Sequence, residues 1–280
     1  MSPFLITKST GDQESFDPTK LLNSLRKAGA SKDQAEAVLL HVQREIVEGM
    51  TTTDLYRHAF ELLRKIARPV AARYSMKRAI ADLGPNGFPF EKFIAEIFKS
   101  EGYEAVTDQV VQGHCVKHEV DVVAWKGDEL VMVEAKFHNE PGIKSDLKVA
   151  LYVKARYDDL MDQVFFYGGK ERKITSFQLF TNTKFTETAI EYAACKGLAL
   201  VGWNYPPQGN LEDLVAESGL HPLTSLTTLS QSEKRSLLDA GFVMCKQIGA
   251  LARSGADLLS YGIPKDKVPE LLAEIEHLCG

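Results

Sequence analysis

Along this chain the apolar positions change period several times, and each change predicts an element. "FLIT" reads as a short strand, followed by the polar turn "KSTGDQ". "SFDPTKLLNSLRKAGA" has helical spacing, with Asp17 as N-cap, Pro18 at the first helical position and Gly29 near the stop. The helical period continues through "SKDQAEAVLLHVQREIVEGM" and "TTTDLYRHAFELLRKIARPVAARYSMKRAIADL". "GPNGFP" at 84–89 concentrates chain breakers and marks the clearest boundary. Beyond it come the helix "FEKFIAEIFKSEGY" and the strands "EAVTDQVVQG", "KHEVDVVAW" and "LVMVEAKFH". A long polar helix is predicted over "SDLKVALYVKARYDDLMDQVFFY", then the strand "ITSFQLFT", the helix "ETAIEYAACKG" and the strand "LALVGW". After "NYPPQGN" the pattern is helical. The expected architecture is α/β in a multidomain α+β chain: a small helical domain at 1–83, a three-layer mixed-sheet domain at 88–205 and a helical module at 210–280.

The strand "LVMVEAKFH" carries the first chemical question. Val131, Met132 and Val133 read as buried, yet Glu134 and Lys136 follow at once, and an ionised group there is costly unless paired or metal-bound. If Gly127 and Asp128 form the centre of a tight hairpin turn, Asp121 stands opposite Glu134 and Glu119 opposite Lys136, all on one face. Two facing carboxylates repel unless a cation lies between them. A magnesium-sized ion, held by one or two carboxylates plus waters and a phosphate, fits that gap. Lys136 could then hold the attacking water or offset charge on phosphorus, which suits metal-assisted phosphodiester hydrolysis. The alternative is a solvated hairpin face on which acids and bases alternate; Asp121 and Glu134, each inside an apolar strand, favour the chemical reading. Glu119 could serve a second metal or pair with Lys136, the pairing being favoured. His118 falls on the opposite face and reads as a packed or surface histidine, as do His114 and His138.

Composition narrows the partners. Apolar residues make up 44% and charged residues 25%, as in ordinary globular protein, and the net charge of −5 argues against a protein that coats nucleic acid non-specifically. Cys115, Cys195, Cys245 and Cys279 are widely spaced, with neither a zinc motif nor a disulfide framework, which fits a reducing cytoplasm. No run approaches the ~18 apolar residues of a membrane span, and no signal peptide is expected.

The stretch "FEKFIAEIFKSEGYEAVTDQVVQGHCVKHEVDVVAWKGDELVMVEAKFH" resembles the PD-ExK nuclease superfamily, and within it the Mrr-type restriction endonuclease-like domains. The resemblance covers about 88–205. It implies that Asp121 and Glu134 ligate Mg²⁺ (or Mn²⁺), that Lys136 is the catalytic lysine and that Glu91 is an accessory acid. "FLITKSTGDQESFDPTKLLNSLRKAG", with "MTTTDLYRHAFELL" and "ARYSMKRAI", resembles the ATP-cone, a nucleotide-binding regulatory module. That family usually begins Lys-Arg-x-Gly; here Lys8-Ser9-Thr10-Gly11 lacks one cation. Lys8 and Lys20 are left to meet phosphates of ATP or dATP, and Thr52 or Thr53 to cap a helix facing an anion. A degenerate cone used for dimerisation or substrate contact is the alternative. "DAGF" and "SYGIPKDKV" faintly resemble helix-hairpin-helix turns, which aim backbone N–H groups at a DNA phosphate; a helical bundle packed on the nuclease domain is the other reading.

The predicted helix at 144–156 offers Lys144, Lys148, Lys154 and Arg156 to DNA phosphates, although Asp146, Asp158 and Asp159 also suit a mixed solvated face. The combined expectation is a cytoplasmic Mg²⁺-dependent deoxyribonuclease, regulated by a nucleotide. A homodimer is expected, because a double-strand cut usually needs two active sites. Two alternatives stay open: a nucleotide-responsive DNA-binding protein whose nuclease fold is inactive, and a nuclease for RNA or branched DNA.

Overall fold

The computed structural model describes residues 4–8, 11–140 and 142–279, without the side chains of residues 68, 69, 72 and 279. The N-terminal unit opens with β1 (Leu5–Thr7) and β2 (Gln13–Ser15), an antiparallel pair. Four helices follow: α1 (Pro18–Lys27), α2 (Lys32–Glu45), α3 (Thr52–Ile66) and α4 (Arg68–Tyr74). Asp17 caps α1 as expected, accepting a hydrogen bond from Thr19 N at 2.9 Å, with Pro18 in the first turn. Leu25, Ala35, Val38, Ala59 and Leu63 are fully buried in a core that belongs to this unit alone.

From α5 (Met76–Ala81) the chain turns at 84–87 into α6 (Phe88–Ser100), then runs through β3 (Glu104–Gln112), β4 (Lys117–Lys126) and β5 (Glu129–Lys136). The expected turn is present: Gly127 has φ 58°, and Lys126 pairs with Glu129. Next come β6 (Lys144–Ser145), α7 (Leu147–Leu160), β7 (Phe165–Tyr167), β8 (Lys170–Arg172), β9 (Ser176–Thr181), β10 (Lys184–Phe185), α8 (Glu187–Lys196) and β11 (Ala199–Val201). The central sheet has the order β11-β9-β5-β4-β3, antiparallel among β3, β4 and β5 and parallel from β5 through β9 to β11. One face packs on α6 through Val122, Ala124, Val131 and Val133; the other packs on α7 and α8 through Val123, Leu130, Met132 and Leu179. This is the mixed-sheet, three-layer α/β core that the pattern predicts.

The long polar helix is shorter than expected. It starts at Leu147, capped by Asp146, so Lys144 sits in β6 and not on the helix. It ends at Leu160, because the β-branched and aromatic run "VFFY" pairs instead as the hairpin β7–β8. Gly168 and Gly169, at φ 55° and 73°, make its turn, and a Cβ on Gly168 would lie 2.4 Å from Trp125 Nε1.

The C-terminal helices α9 (Leu211–Ser218), α10 (Gln231–Asp239), α11 (Cys245–Arg253) and α12 (Val268–Cys279) share one continuous core with α6 and the adjoining sheet face, including Phe90, Phe93, Leu211, Leu237, Ile248 and Leu271. Thr224 Oγ1 donates to Ala79 O at 2.5 Å, and Arg235 to Gly84 O at 2.6 Å, tying this region to the entry of α6. The backbone donors of the "DAGF" turn are consumed internally: Gly241 N bonds Leu238 O and Phe242 N bonds Leu237 O, so neither is free for a phosphate. Among the described residues no helix is long and apolar enough to cross a membrane.

His221, 8% exposed with Nδ1 lacking a hydrogen-bond partner, gives this packing a pH dependence. Burial first, then the charges of Arg73 and Lys246, push its pKa down from 6.5 to about 4. The unfolded chain takes up a proton before the folded one does, so this contribution is complete above pH 6.5 and is lost as the pH falls toward 4. Urea unfolding should show about 3 kcal/mol less stability at the acid end from this group. In His221→Gln the same pH series should be flatter than in the parent; an unchanged slope would refute the assignment.

Candidate active site

The carboxylates at the hairpin come together because the β4–β5 ladder stops just before them. The last ladder pair is Val122 with Val133, and the register continues to Asp121 opposite Glu134, as the two-residue turn requires. There Asp121 Oδ2 replaces the ladder, accepting a hydrogen bond from Ala135 N at 2.6 Å. The ladder ends before the expected Glu119–Lys136 level, and Lys136 instead pairs along β9 with Thr181. Lys136 is exposed and close enough to Glu134 to favour its ionised form.

Glu91 arrives from the first turn of α6. That helix is set against the end of β5 by Phe90 on Phe137, ring centroids 5.5 Å apart, and by Asn139 Nδ2 donating to Pro85 O at 2.9 Å. Past Lys136 the chain is clamped further: His138 N donates to Asn182 Oδ1 at 2.8 Å and Asn182 Nδ2 to His138 O at 2.9 Å.

The result is a partly buried cluster of like charges. Burial first, then Asp121, Asp108, Glu119 and Glu134, push Glu91 up to about 8. Glu134 rises to about 7 by burial and then by Asp121, against the relief of Arg156 and Lys136. Burial also raises Asp121, opposed by the Ala135 N–H and by Arg156. All three would return toward ordinary carboxylate values once positive charge enters.

One member of this neighbourhood escaped sequence reasoning and a second was given another role. Asp108 lies at the β3 position opposite Asp121, where the β3–β4 ladder skips a rung, and has φ 57°, the only positive φ of a non-glycine among the described residues. Asp is one of the few side chains that tolerates this region, and such strain collects at functional sites. An unpaired acid in an alternating strand was the available signal. The second is Arg156. Expected to face DNA phosphates, it is 8% exposed and its Nη1 donates to Glu134 Oε2, so burial against the sheet turns it into the counter-ion of the cluster. Its helical spacing with Ala150, Val153 and Leu160, all fully buried, was legible.

The other expected residues are placed as follows. Lys144 and Lys148 are exposed, while Lys154 is half-buried and pairs with Asp158. His118 Nε2 lies 2.8 Å from Asp159 Oδ2, and with the Cys115 and Val116 N–H groups it holds that carboxyl well below the usual range. In the N-terminal unit Lys8 and Lys20 both reach Glu14 Oε2 at 3.0 Å; Ser9 and Thr10 lie outside the described residues. The cap of α3 is Thr51 rather than Thr52 or Thr53: Thr51 Oγ1 accepts from Asp54 N at 3.1 Å, and the other two are already helical.

Asp121 and Glu134 leave Oδ1 and Oε1 uncommitted, two hard oxygen donors in a cluster short of positive charge, which fits Mg²⁺ or Mn²⁺. Among the described residues no three His, Cys, Asp or Glu side chains close on one point. Two carboxylates with waters and substrate oxygens is the mode in which Mg²⁺ usually binds.

The Arg156–Glu134 pair gives the site a measurable coupling. Arg156→Gln should destabilise the protein in EDTA by about 3 kcal/mol, since it leaves a half-buried carboxylate without its partner. The Glu134→Gln/Arg156→Gln double variant should lose less than the sum of the single losses, by about 1–3 kcal/mol in a urea-unfolding cycle. Strict additivity would show that the pair is not formed.

Comparison with known proteins bears on the same region. A restriction endonuclease family model, Mrr_cat, matches residues 85–203, and a second, described as AF1548-like, C-terminal, matches 221–279. A protein of Archaeoglobus fulgidus described as uncharacterized is 36% identical over 187 residues, 67% of this chain and 100% of that one. The crystal structure of AF1548, a protein of unknown function, is 35% identical with a TM-score of 0.54, covering 68% of this chain and 97% of its own.

Proposed function

We propose a function from one premise: the chain belongs to the AF1548 family, and residues 85–203 are its restriction endonuclease domain. It is a nuclease that hydrolyses phosphodiester bonds of DNA with Mg²⁺ or Mn²⁺. The observation that carries this reading is the register that sets Asp121 opposite Glu134, with Lys136 emerging at the end of the same strand and Glu91 near enough on α6 to feel both charges.

Asp121 and Glu134 are the residues that would hold the ion, which when bound supplies a Lewis acid for a phosphate oxygen and an activated water. Asp121 is fixed for this by Ala135 N, and Arg156 offsets part of the rise that burial and Asp121 impose on Glu134. Lys136, exposed beside them, orients the water and offsets the charge that grows on phosphorus as one P–O bond forms and another breaks. Glu91 supports the pair from α6.

Supercoiled, single-stranded and branched DNA and an RNA, each with Mg²⁺ or EDTA, test this directly. Cleavage of DNA in Mg²⁺ alone is expected, with Asp121→Ala and Lys136→Ala each slower by about a hundredfold or more. Undiminished cutting by Asp121→Ala, or cutting in EDTA, overturns the site. Binding without cleavage by the parent would favour the inactive-fold alternative.

Nucleotide regulation through the N-terminal unit is a second reading, supported by Lys8 and Lys20 standing side by side on Glu14. Two neighbouring ammonium groups sharing one carboxylate suit a phosphate chain. ATP or dATP should raise the melting temperature of the parent and leave that of Lys8→Glu/Lys20→Glu unmoved; no shift in the parent removes this reading.

A further inference from the structure

The pleat of the sheet changes phase at one level, and Asp108 stands there. Before it, Ala105 lies with Val122 and Ala124 in the core under α6, and Val106 with Val123 in the core under α7 and α8. Strict alternation would carry Val111 of β3 and Val120 of β4 to the α6 side. Both lie instead in the core under α7 and α8. The register is the same before and after, Thr107 with Val122 and Gln109 with Val120, so neither strand contains an inserted residue. The two strands therefore exchange faces together, at the skipped rung of Asp108 and Asp121.

The exchange needs a backbone that leaves the extended region. Asp108 supplies it with φ 57°, a conformation open to Gly, Asn and Asp and strongly disfavoured for β-branched side chains. The kink is finished locally: Gln109 Nε2 donates to Thr107 O at 2.8 Å across it, and Thr107 Oγ1 donates to Asp108 Oδ2 at 3.1 Å. Because β3 is an edge strand, a kink there can serve merely to deter pairing with another chain. What sets this one apart is the residue across from it. Asp121 sits where the alternation of β4 breaks, and its Oδ2 reaches along the sheet to Ala135 N of β5. There its charge is felt both by Glu134, which α7 holds through Arg156, and by Glu91 of α6.

We propose that Asp108 is a positioning residue that acts through its backbone: its kink turns Asp121 out of the pleat toward β5, where Ala135 N fixes one carboxylate oxygen and leaves the other for a divalent cation. The inference rests on the reading of Asp121 as a metal-holding carboxylate, and one of its two readouts needs no metal. The Asp108 carboxylate is bonded to the neighbouring Thr107, so the side chain supports the kink while the backbone does the positioning.

The test compares Asp108→Asn, Asp108→Gly, Asp108→Ala and Asp108→Val in the full chain. All four remove the same charge, so differences among them report the backbone alone. In EDTA, exchange of the Ala135 amide followed by NMR should be slow in the parent and in the Asn and Gly variants, and about tenfold faster in the Val variant. Calorimetric Mn²⁺ binding should be about tenfold weaker in Asp108→Val than in Asp108→Asn or Asp108→Gly. Should the Val variant fail to fold, Ala against Gly decides in the same way, because alanine also disfavours a positive φ. Fast exchange of Ala135 in the parent, or equal exchange and equal Mn²⁺ affinity across the variants, overturns the proposal. Equal weakening of Mn²⁺ binding in all four, with Ala135 still protected, would make the carboxylate the working part and overturns it too. So does a Val variant that self-associates with Ala135 protected, since the kink is then an edge guard. A parent that binds no Mn²⁺ removes the metal reading, while the exchange of Ala135 still decides the kink.

Discussion

The constraint on which the site depends is the placing of like charges where water is scarce. Asp121 and Glu134 face each other across two strands whose neighbours Val120, Val122 and Val133 are fully buried, and Glu91 is brought close from α6. Hydrogen bonds and ion pairs offset part of the cost: one backbone N–H on Asp121, one guanidinium on Glu134. Raised pKa values at Glu91 and Glu134 show that the offset is incomplete. A fold that keeps such a deficit makes this a place where added positive charge would be favoured.

The rest of the domain serves to hold that deficit in place. The sheet fixes Asp121 and Glu134 by register, α7 delivers Arg156 from the opposite layer, and the Phe90–Phe137 contact and the Asn182–His138 bonds fasten α6 and the end of β5. Because α6 shares its core with the C-terminal helices, those helices also steady Glu91. The N-terminal unit keeps a separate core.

Much of this was legible in the sequence, and the reasons are local. The Gly127–Asp128 turn sets the hairpin register, and register alone brings Asp121 opposite Glu134. The alternating strands and the cap at Asp17 follow from residue type and spacing. What could not be read depends on contacts distant in sequence. Arg156 looks like any helical cation until the sheet is placed beneath it, and Asp108 looks like a solvated strand residue until β4 lies beside it. The overlong prediction for α7 has a different origin. Its hydrophobic run "VFFY" satisfies either period, and the choice is made by the glycine turn packed on Trp125.

The distribution of charge around the site also constrains how a polyanion can lie on it. On the α7 side the walls of a groove carry Asp158, Asp159 and Asp162, of which Asp158 is paired with Lys154 and Asp159 with His118. On the α6 side a cleft of about 360 Å³ carries Lys92 and Arg235 together with Asp108 and Asp239, so its cations are matched by acids. The exposed Lys136 at the end of β5 is the cation that a polyanion approaching the cluster would meet. In a chain with a net charge of −5, local charge and not overall charge would have to orient a polyanion.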